Sequence, residues 1–573
     1  MDKREVSQIL DEIGLLLELK GDSPFKSNAY YNAARTIAGL SEDLSELVAS
    51  GRIREVKGIG QALSGKLAEL IGSGRLGYYE DLKRSVPPGL LEMTAIPGLG
   101  PKKITAVWEK LGVTTVGELE YACIENRLTG LPGFGQKTQE KIRQGILQVK
   151  RRRGYHLYAN AVGDAHDLLA AIRRSPGIGQ AELVGDVRRR MEVIRSMEFL
   201  VGGASGQGVV EALSRMECLK EVSQNGCVIT ARSMMGLPVT VTVLREIVPH
   251  ALLAATGSEM HLGTLVARAA RMNVPWSVSL DDGACFPEAD SEEALYARLG
   301  LPFIEPELRE GLDELELADG GKLRSLVDLG QVRGIFHTHT TYSDGSAGLE
   351  EMVEAARALG YSYIGISDHS QSAFYANGLK EDRIREQHAA IDALRRRVTG
   401  IAVLKGIEAD ILADGSMDYP DEVLARFDFV IASVHSRFQL SEEEQTARVI
   451  RALANPHVTM LGHPTGRLLL SREGYRIDMK RVIDAAGEYG KVIEINANPH
   501  RLDLDWRLCR YAKSRGVRVS INPDAHATDG LQDVQFGVNV ARKGGLEASL
   551  VVNTLGPEEV LAALRLGPRQ GSL

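Results

Sequence analysis

The chain has 573 residues, of which 44% are hydrophobic and 25% charged, and a formal net charge of −8 at pH 7. That length exceeds one ordinary domain and points to three or four, while the absence of any apolar run of roughly 18 residues excludes a helical membrane span. Cys123, Cys218, Cys227, Cys285 and Cys509 are scattered and never form CxxC, which excludes a disulfide framework or a cysteine zinc site and fits a reducing cytoplasm.

Met1-Asp2-Lys3-Arg4-Glu5 opens an amphipathic helix and lacks a signal-peptide core. Residues 5–80 read as short helices. Within them Lys57-Gly58-Ile59-Gly60 precedes a helical run, and the unit recurs as Ile96-Pro97-Gly98-Leu99-Gly100-Pro101-Lys102-Lys103 and Leu131-Pro132-Gly133-Phe134-Gly135-Gln136-Lys137. Glycines around an apolar residue make a tight hairpin that opens into a helix N-terminus. Exposed N–H groups there suit a phosphate, and the missing Cβ permits close approach. The charge agrees: residues 51–153 hold 18 Lys plus Arg against 10 Asp plus Glu, a local +8 in an acidic chain, peaking at Lys150-Arg151-Arg152-Arg153. These units resemble helix-hairpin-helix motifs, which grip the DNA backbone without reading sequence. Gly58, Gly60, Gly98, Gly100, Gly133, Gly135, Lys102 and Lys137 are the candidate DNA contacts.

Phe25-Lys26-Ser27-Asn28-Ala29-Tyr30 followed by the first hairpin resembles the N-terminal domain of family X DNA polymerases. The resemblance implies that Lys26 binds a 5′-phosphate of gapped DNA and that Lys66 stands where the family keeps its lyase lysine. A lyase amine must be neutral to form a Schiff base, and a phosphate contact is the plainer role for Lys66.

Residues 155–315 are then expected to form palm and thumb. The family palm carries Gly-Ser-x-Arg-Arg, then Asp-x-Asp, then a third Asp on a nearby strand. This chain has Gly185-Asp186-Val187-Arg188-Arg189, then Ser196-Met197-Glu198, then Thr240. Two Mg²⁺ ions bridging a primer hydroxyl and a triphosphate need several carboxylates. Ser196, Glu198 and Thr240 do not supply them, and Asp186 adds negative charge where the triphosphate would lie, beside Arg189. The polymerase centre therefore reads as inactive, without Mg²⁺. Thr256-Gly257-Ser258 and the segment 292–311 resemble the family thumb.

Past a linker the pattern changes. Ile335-Phe336-His337-Thr338-His339 runs into Thr340-Thr341-Tyr342-Ser343-Asp344, and a single design follows: a short apolar run ending in a ligand-type residue. The endings are Asp368-His369, Glu408, His435, His463 and Asp524-Ala525-His526, separated by helical patterns. Such alternation implies parallel strands, and ligands at so many strand ends imply a (β/α) barrel with its site at that face. With 492–496 there are seven strands and no evident eighth, so a distorted barrel is expected. Six histidines with three carboxylates exceed one tetrahedral zinc, and the mixture suits Zn, Mn or Fe. His388, His457 and His500 end no strand and read as ordinary surface or core residues.

His337, His339, Asp344, His369, Glu408, His435, His463, Asp524 and His526 resemble the nine ligands of the PHP (polymerase and histidinol phosphatase) phosphoesterases. The resemblance implies three Mn²⁺ or Zn²⁺ ions in a (β/α)₇ barrel.

Across its length the chain is similar to bacterial family X polymerases with a C-terminal PHP domain. The expected fold is multidomain: all-α helix-hairpin-helix regions (1–80 and 81–153), a degenerate α/β nucleotidyltransferase-like palm (154–250), a thumb (251–315), a linker (316–330) and a barrel (331–573). The expected function is a metal-dependent 3′–5′ exonuclease or 3′-end phosphodiesterase on gapped or nicked DNA. A cytoplasmic, nucleoid-associated monomer acting in repair is expected, with no membrane partner. Three alternatives stand beside it: a working gap-filling polymerase with an attached nuclease, a histidinol-phosphatase-like small-molecule phosphatase, and a non-catalytic DNA-binding scaffold.

Overall fold

The computed structural model describes residues 1–565 apart from 41, 125–127, 129–130, 153, 235, 279, 281–288 and 471–472. Cys285 and Arg153 lie outside the described residues, as do the side chains of Lys150, Arg151 and Arg152. The chain forms two units, residues 1–153 and 154–573, and the divisions expected at 80, 250, 315 and 330 fall inside them. Among the described residues no helix is long and apolar enough to cross a membrane. The four described cysteines are all free.

The first unit is all helix: α1 (Lys3–Leu19), α2 (Pro24–Ala38), α3 (Gln61–Ser73), α4 (Pro101–Leu111) and α5 (Gln136–Arg152) lead it, with shorter pieces between. The first two span 17 and 15 residues, longer than the short helices expected. The Asp2–Glu5 capping box starts α1, and Ser23 with Pro24 starts α2. Val6, Leu10, Ile13 and Leu17 then recur at helical spacing and are buried. One apolar core runs from Val6 to Ile146.

In the second unit the helix Tyr158–Arg174 precedes a mixed sheet of β1 (Gln180–Val184), β2 (Met197–Gly202), β3 (Leu219–Asn225), β4 (Val228–Ser233) and β5 (Pro238–Leu244), ordered β1-β2-β5-β4-β3. Only β2 and β5 pair in parallel. Helices Pro249–Thr256, Glu259–Arg271 and Glu292–Arg298 follow, with Leu253, Leu265, Tyr296 and Leu299 in a core of their own.

Seven parallel strands complete the unit: β6 (Gly334–Thr338), β7 (Tyr363–Ile366), β8 (Ala402–Asp410), β9 (Phe429–Ser433), β10 (Met460–Leu461), β11 (Val492–Asn496) and β12 (Val519–Asn522). They stand in sequence order. The ring is closed by a single bridge, Thr338 to Ala525, with His339 N donating to Ala525 O at 2.9 Å. Phe336, Tyr363, Phe429 and Met460 fill the barrel, with the Phe336 and Phe429 rings 4.9 Å apart. Glycine is required beside them, since a Cβ at Gly406 would lie 2.0 Å from Phe429 Cζ. The first sheet and the barrel share one continuous buried core.

Candidate metal centre and nucleic-acid surfaces

All nine barrel residues singled out in the sequence converge at the C-terminal ends of the strands, within four overlapping groups. These are His339, Asp344, His369 and His526; His337, Glu408 and His463; His337, His339 and Asp524; and His369, Glu408 and His435, each with ligand atoms within 4.8 Å of one another. Glu408 is the hub. Its Oε1 lies 2.9 Å from His463 Nε2 and 3.2 Å from the Nε2 atoms of His337 and His435, while Oε2 lies 2.8 Å from His369 Nδ1. Asp524 Oδ1 reaches His339 Nε2 at 3.3 Å and His337 Nε2 at 3.5 Å, and Asp344 reaches His526 at 3.4 Å and His369 at 3.5 Å.

Strand alternation by itself does not produce this cluster. Phe336 points into the barrel core and His337 beside it also faces inward, which needs a break in the pleat. The register shifts between Ile335 and Thr338, and His337 has φ +55°. His463 (φ +21°) and Asp524 (φ +52°) are left-handed too. Strained backbone of this kind persists where surroundings over-determine it and gathers at functional sites.

The electrostatics are those of a site assembled for cations. Burial would raise Glu408, but His435, His337 and His369 outweigh it and hold the carboxyl well below its usual range. Burial would lower His337, yet Glu494, Asp524 and Glu408 raise it well above an ordinary histidine. Against the same burial, Glu408 and Asp344 lift His369 to about 10, and Glu408 and Asp410 lift His435 to about 9. His339, buried and flanked by His526 and His369, is pushed down to about 3. His337 Nε2, His463 Nδ1 and both nitrogens of His339 are buried without a well-aligned hydrogen bond. Buried nitrogens left over beside shared carboxylates fit divalent ions of the Zn or Mn type.

Three carboxylates stand behind the ligands; Glu494 and Asp410 escaped the sequence reading, and Asp368 was read only as part of a strand ending. Glu494, fully buried, takes His337 Nδ1 at 2.6 Å and the backbone N–H of His463 at 2.6 Å, and also accepts from Asn522 and Asn496. Asp410 takes His435 Nδ1 at 2.6 Å. Asp368 accepts from Thr340 N and Oγ1 and from Gln387 Nε2, fixing the turn that carries Asp344. A charged residue inside the apolar run Val492-Ile493-Glu494-Ile495 was the available signal for Glu494.

The palm positions also come together. Glu198 on β2 pairs with Thr240 on β5 and with Val184 on β1, and Ser196 Oγ donates to Glu198 Oε1 at 2.8 Å. Burial and the nearby Asp186 raise the Glu198 carboxyl, outweighing Ser196 and Arg189. Arg189 is committed within the protein: to Asp186 at 2.5 Å, Glu310 at 3.0 Å and the Thr256 carbonyl at 2.6 Å. Arg188 is bound to Glu292 and Thr256. From the barrel side the buried Lys543 ammonium donates to Arg189 O and pairs with Glu310.

In the first unit the three hairpins share one geometry. Gly58, Gly98 and Gly133 are left-handed (φ +93°, +83° and +81°), and Gly60, Gly100 and Gly135 stand just before a helix. At Gly100 φ is −75° and nothing lies within 4 Å of a would-be Cβ, so the fold makes no demand for glycine there. Lys102 and Lys137 are exposed. Lys26 is exposed and pairs with Asp22 at 3.1 Å. Lys66 is half-buried, with Nζ bonded to the Tyr30 hydroxyl and 3.3 Å from the Tyr78 ring centroid. Burial, with Lys26 adding to it, holds its pKa below an ordinary lysine.

Comparison with known proteins agrees along the chain. A PHP domain matches residues 336–498, a helix-hairpin-helix domain 1–76, a SAM-like helix-hairpin-helix tandem 90–146, and a DNA polymerase beta thumb 251–310. A Bacillus subtilis protein named DNA polymerase/3′-5′ exonuclease PolX is 35% identical over 572 residues, covering 99% of this chain and 100% of its own. Proteins named probable phosphatase match about the barrel alone. One from Caldanaerobacter subterraneus is 32% identical over 41% of this chain and 89% of its own, and one from a Thermoanaerobacter is 30% identical over 38% and 89%.

Proposed function

Because the chain belongs to the family X DNA polymerases that carry a C-terminal PHP domain, we propose that it is a metal-dependent 3′–5′ exonuclease or 3′-end phosphodiesterase acting on gapped or nicked DNA, with a DNA-holding palm that no longer adds nucleotides. The observation that carries this reading is Glu408 shared among four imidazoles, with buried nitrogens left over. The nine clustered side chains would hold three Mn²⁺ or Zn²⁺ ions. Such ions supply a water of lowered pKa and a clamp on the phosphoryl oxygens. The chain's own work is positional. Glu494 and Asp410 each take the Nδ1 of a histidine and so turn its Nε2 toward the cluster. Arg501, 3.5 Å from Asp524, offers a guanidinium at the mouth for a phosphate.

Two observations favour loss of synthesis. Ser196, Glu198 and Thr240 give one carboxylate where two Mg²⁺ ions need several, and Arg189 has its donors taken by Asp186, Glu310 and Thr256. The hairpins favour DNA over a small phosphate ester, which would need no such grip. The reading places the protein in the cytoplasm, on nucleoid DNA, as a monomer working in repair.

The test incubates the protein and Mn²⁺ with end-labelled gapped DNA, with and without dNTPs. Shortening from the 3′ end, abolished by His339→Ala, is the expected result. Template-directed extension by the His339→Ala protein, lost again on Glu198→Ala, would restore the working polymerase. Lys66 supports a second activity, since its lowered pKa and the two tyrosines around it suit a Schiff-base amine. Borohydride trapping on DNA with an incised abasic site, lost on Lys66→Ala, is the measurement. No trapped adduct would leave Lys66 as a phosphate contact.

A further inference from the structure

Among the large apolar side chains exposed in the described part of residues 154–573, Phe374 is the barest, at 84% exposed, and the one aromatic. A single exposed apolar residue needs no explanation by itself. Its mounting does. Phe374 lies five residues past His369, at the ligand-bearing end of the barrel, on a loop closed by a bridge between Ser370 and Leu379 and by Leu379 N donating to His369 O at 2.8 Å. Ser372 N donates to Asp418 at 2.7 Å and Ser372 Oγ to Asp410, the partner of His435, at 3.0 Å. Ala373, Ala376 and Leu379 on either side are buried. Asn377 Nδ2 donates to the Tyr342 carbonyl at 3.4 Å, tying the loop to the turn that carries Asp344. A braced backbone, tied to His369 and to the carboxylate behind His435, therefore holds the phenyl ring in water at the ligand-bearing end of the barrel. The neighbouring aromatic, Tyr342, is already engaged, with the Arg383 guanidinium 5.7 Å from its ring centroid.

A simple phosphate ester gives such a ring nothing to do. The 3′ end of a DNA strand carries a flat base next to its last phosphodiester, and bases stack on aromatic side chains with little regard to sequence. We propose that Phe374 is the stacking platform for the 3′-terminal base, and that it makes this PHP site selective for nucleic-acid ends over base-free phosphate esters. The proposal rests on the exonuclease reading above, and Lys380, next along the chain after the loop, is exposed.

The test uses full-length wild type, Phe374→Ala and Phe374→Trp, with melting curves to show that all three fold. With Mn²⁺, Phe374→Ala is expected to lose about tenfold in kcat/KM on an oligonucleotide with a normal 3′ base, carried mainly by KM, while Phe374→Trp keeps the wild-type value. On the same oligonucleotide ending in a tetrahydrofuran abasic residue the penalty is expected to shrink below about twofold, because no base remains to stack. A second readout needs no hydrolysis. A 3′-terminal 2-aminopurine, in EDTA, is expected to be quenched by wild type and Phe374→Trp but not by Phe374→Ala. Equal quenching by all three proteins, or an equal loss on base-bearing and abasic ends, would overturn the stacking role. If wild type quenched through Phe374 yet cut nothing, the exonuclease reading would fail and the platform would stand.

Discussion

The palm and the barrel each place an acid on a strand with a parallel neighbour, near basic side chains, and they differ in what those charges face. In the barrel, Glu408 stands among four imidazoles, and buried nitrogens of His337, His339 and His463 have no well-aligned hydrogen bond. At the degenerate palm positions the charges are paired within the protein: Glu198 takes Ser196, Arg189 takes Asp186 and Glu310, Arg188 takes Glu292, and Lys543 takes Glu310. Buried polar groups without protein partners are costly unless something else satisfies them. On the reading proposed above, the barrel keeps that cost for its ions and the palm is free to lose it. The contrast teaches that residue types alone do not mark a working site. The fraction of its polar atoms still unspent does.

The largest effect should come from breaking the barrel side. His339→Ala or Glu408→Ala removes a residue shared between ligand groups, and should cut phosphodiesterase activity by about a thousandfold and lower bound Mn²⁺ by mass spectrometry or spectroscopy. Affinity for gapped DNA, measured by anisotropy, should change little, because the hairpins lie in the other unit. Wild-type digestion by His339→Ala would show that the cluster is not the catalytic centre.

Next in size is Glu494. Its two 2.6 Å bonds run to His337 Nδ1 and to the backbone N–H of His463, so its role is to aim His337 and His463. Glu494→Gln should weaken Mn²⁺ binding by about ten- to a hundredfold in calorimetry. The amide can still be held by the same neighbours, so a melting curve close to wild type is expected. A collapse of the fold with no separable loss of metal affinity would mean that Glu494 only supports the barrel.

What the sequence made visible follows from the reach of local patterns. Eight of the nine ligands were legible because they end apolar runs and Asp344 because it follows the first of them, and the strand at 492–496 appears with the bounds expected. The carboxylates behind them were not: the partner of His337 lies 157 residues away, and no spacing rule connects the two. The left-handed turns at His337, His463 and Asp524 were hidden as well, since none is glycine. In the palm, pairing of Glu198 with Thr240 was implied by the family pattern. The capture of Arg189 by Glu310 was not, because that carboxylate comes from the thumb, 121 residues on.

The hairpins carry the same comparison to the first unit, where glycines with no internal reason to be glycine stand in for unspent polar atoms. Gly100→Val keeps an allowed backbone (φ −75°, ψ 168°) and meets nothing within 4 Å, so the helices should survive. DNA affinity should still fall several-fold, equally on unrelated sequences, because the new side chain stands where a phosphate backbone comes close. Lys102→Ala and Lys137→Ala should each flatten the salt dependence of binding by about one counterion. A loss confined to one DNA sequence would contradict a backbone grip.

The smallest effect tests the palm from the opposite direction, by asking whether its remaining acid is now a burden. Burial and Asp186 raise the Glu198 carboxyl above an ordinary glutamate, against the opposing pull of Ser196 and Arg189. A carboxyl whose folded pKa exceeds its unfolded one favours folding when protonated. Its cost to the folded state is therefore absent below the unfolded value, about 4.3, appears as pH rises through the folded value, and is complete above it. Glu198→Gln removes that cost while keeping an acceptor for Ser196 Oγ. The variant should accordingly melt higher than wild type at pH 8, by on the order of 1 °C, and the gain should vanish by pH 4. The opposite sign is expected of a site that holds Mg²⁺. There, adding the ion should stabilise the wild type and not the variant, and the wild type should melt higher at pH 8 in its presence. Melting curves of both proteins at pH 4 and pH 8, with and without Mg²⁺ and in the His339→Ala background so that the barrel adds less of its own metal response, separate the two. A magnesium-dependent rise that requires Glu198 would return the palm to service.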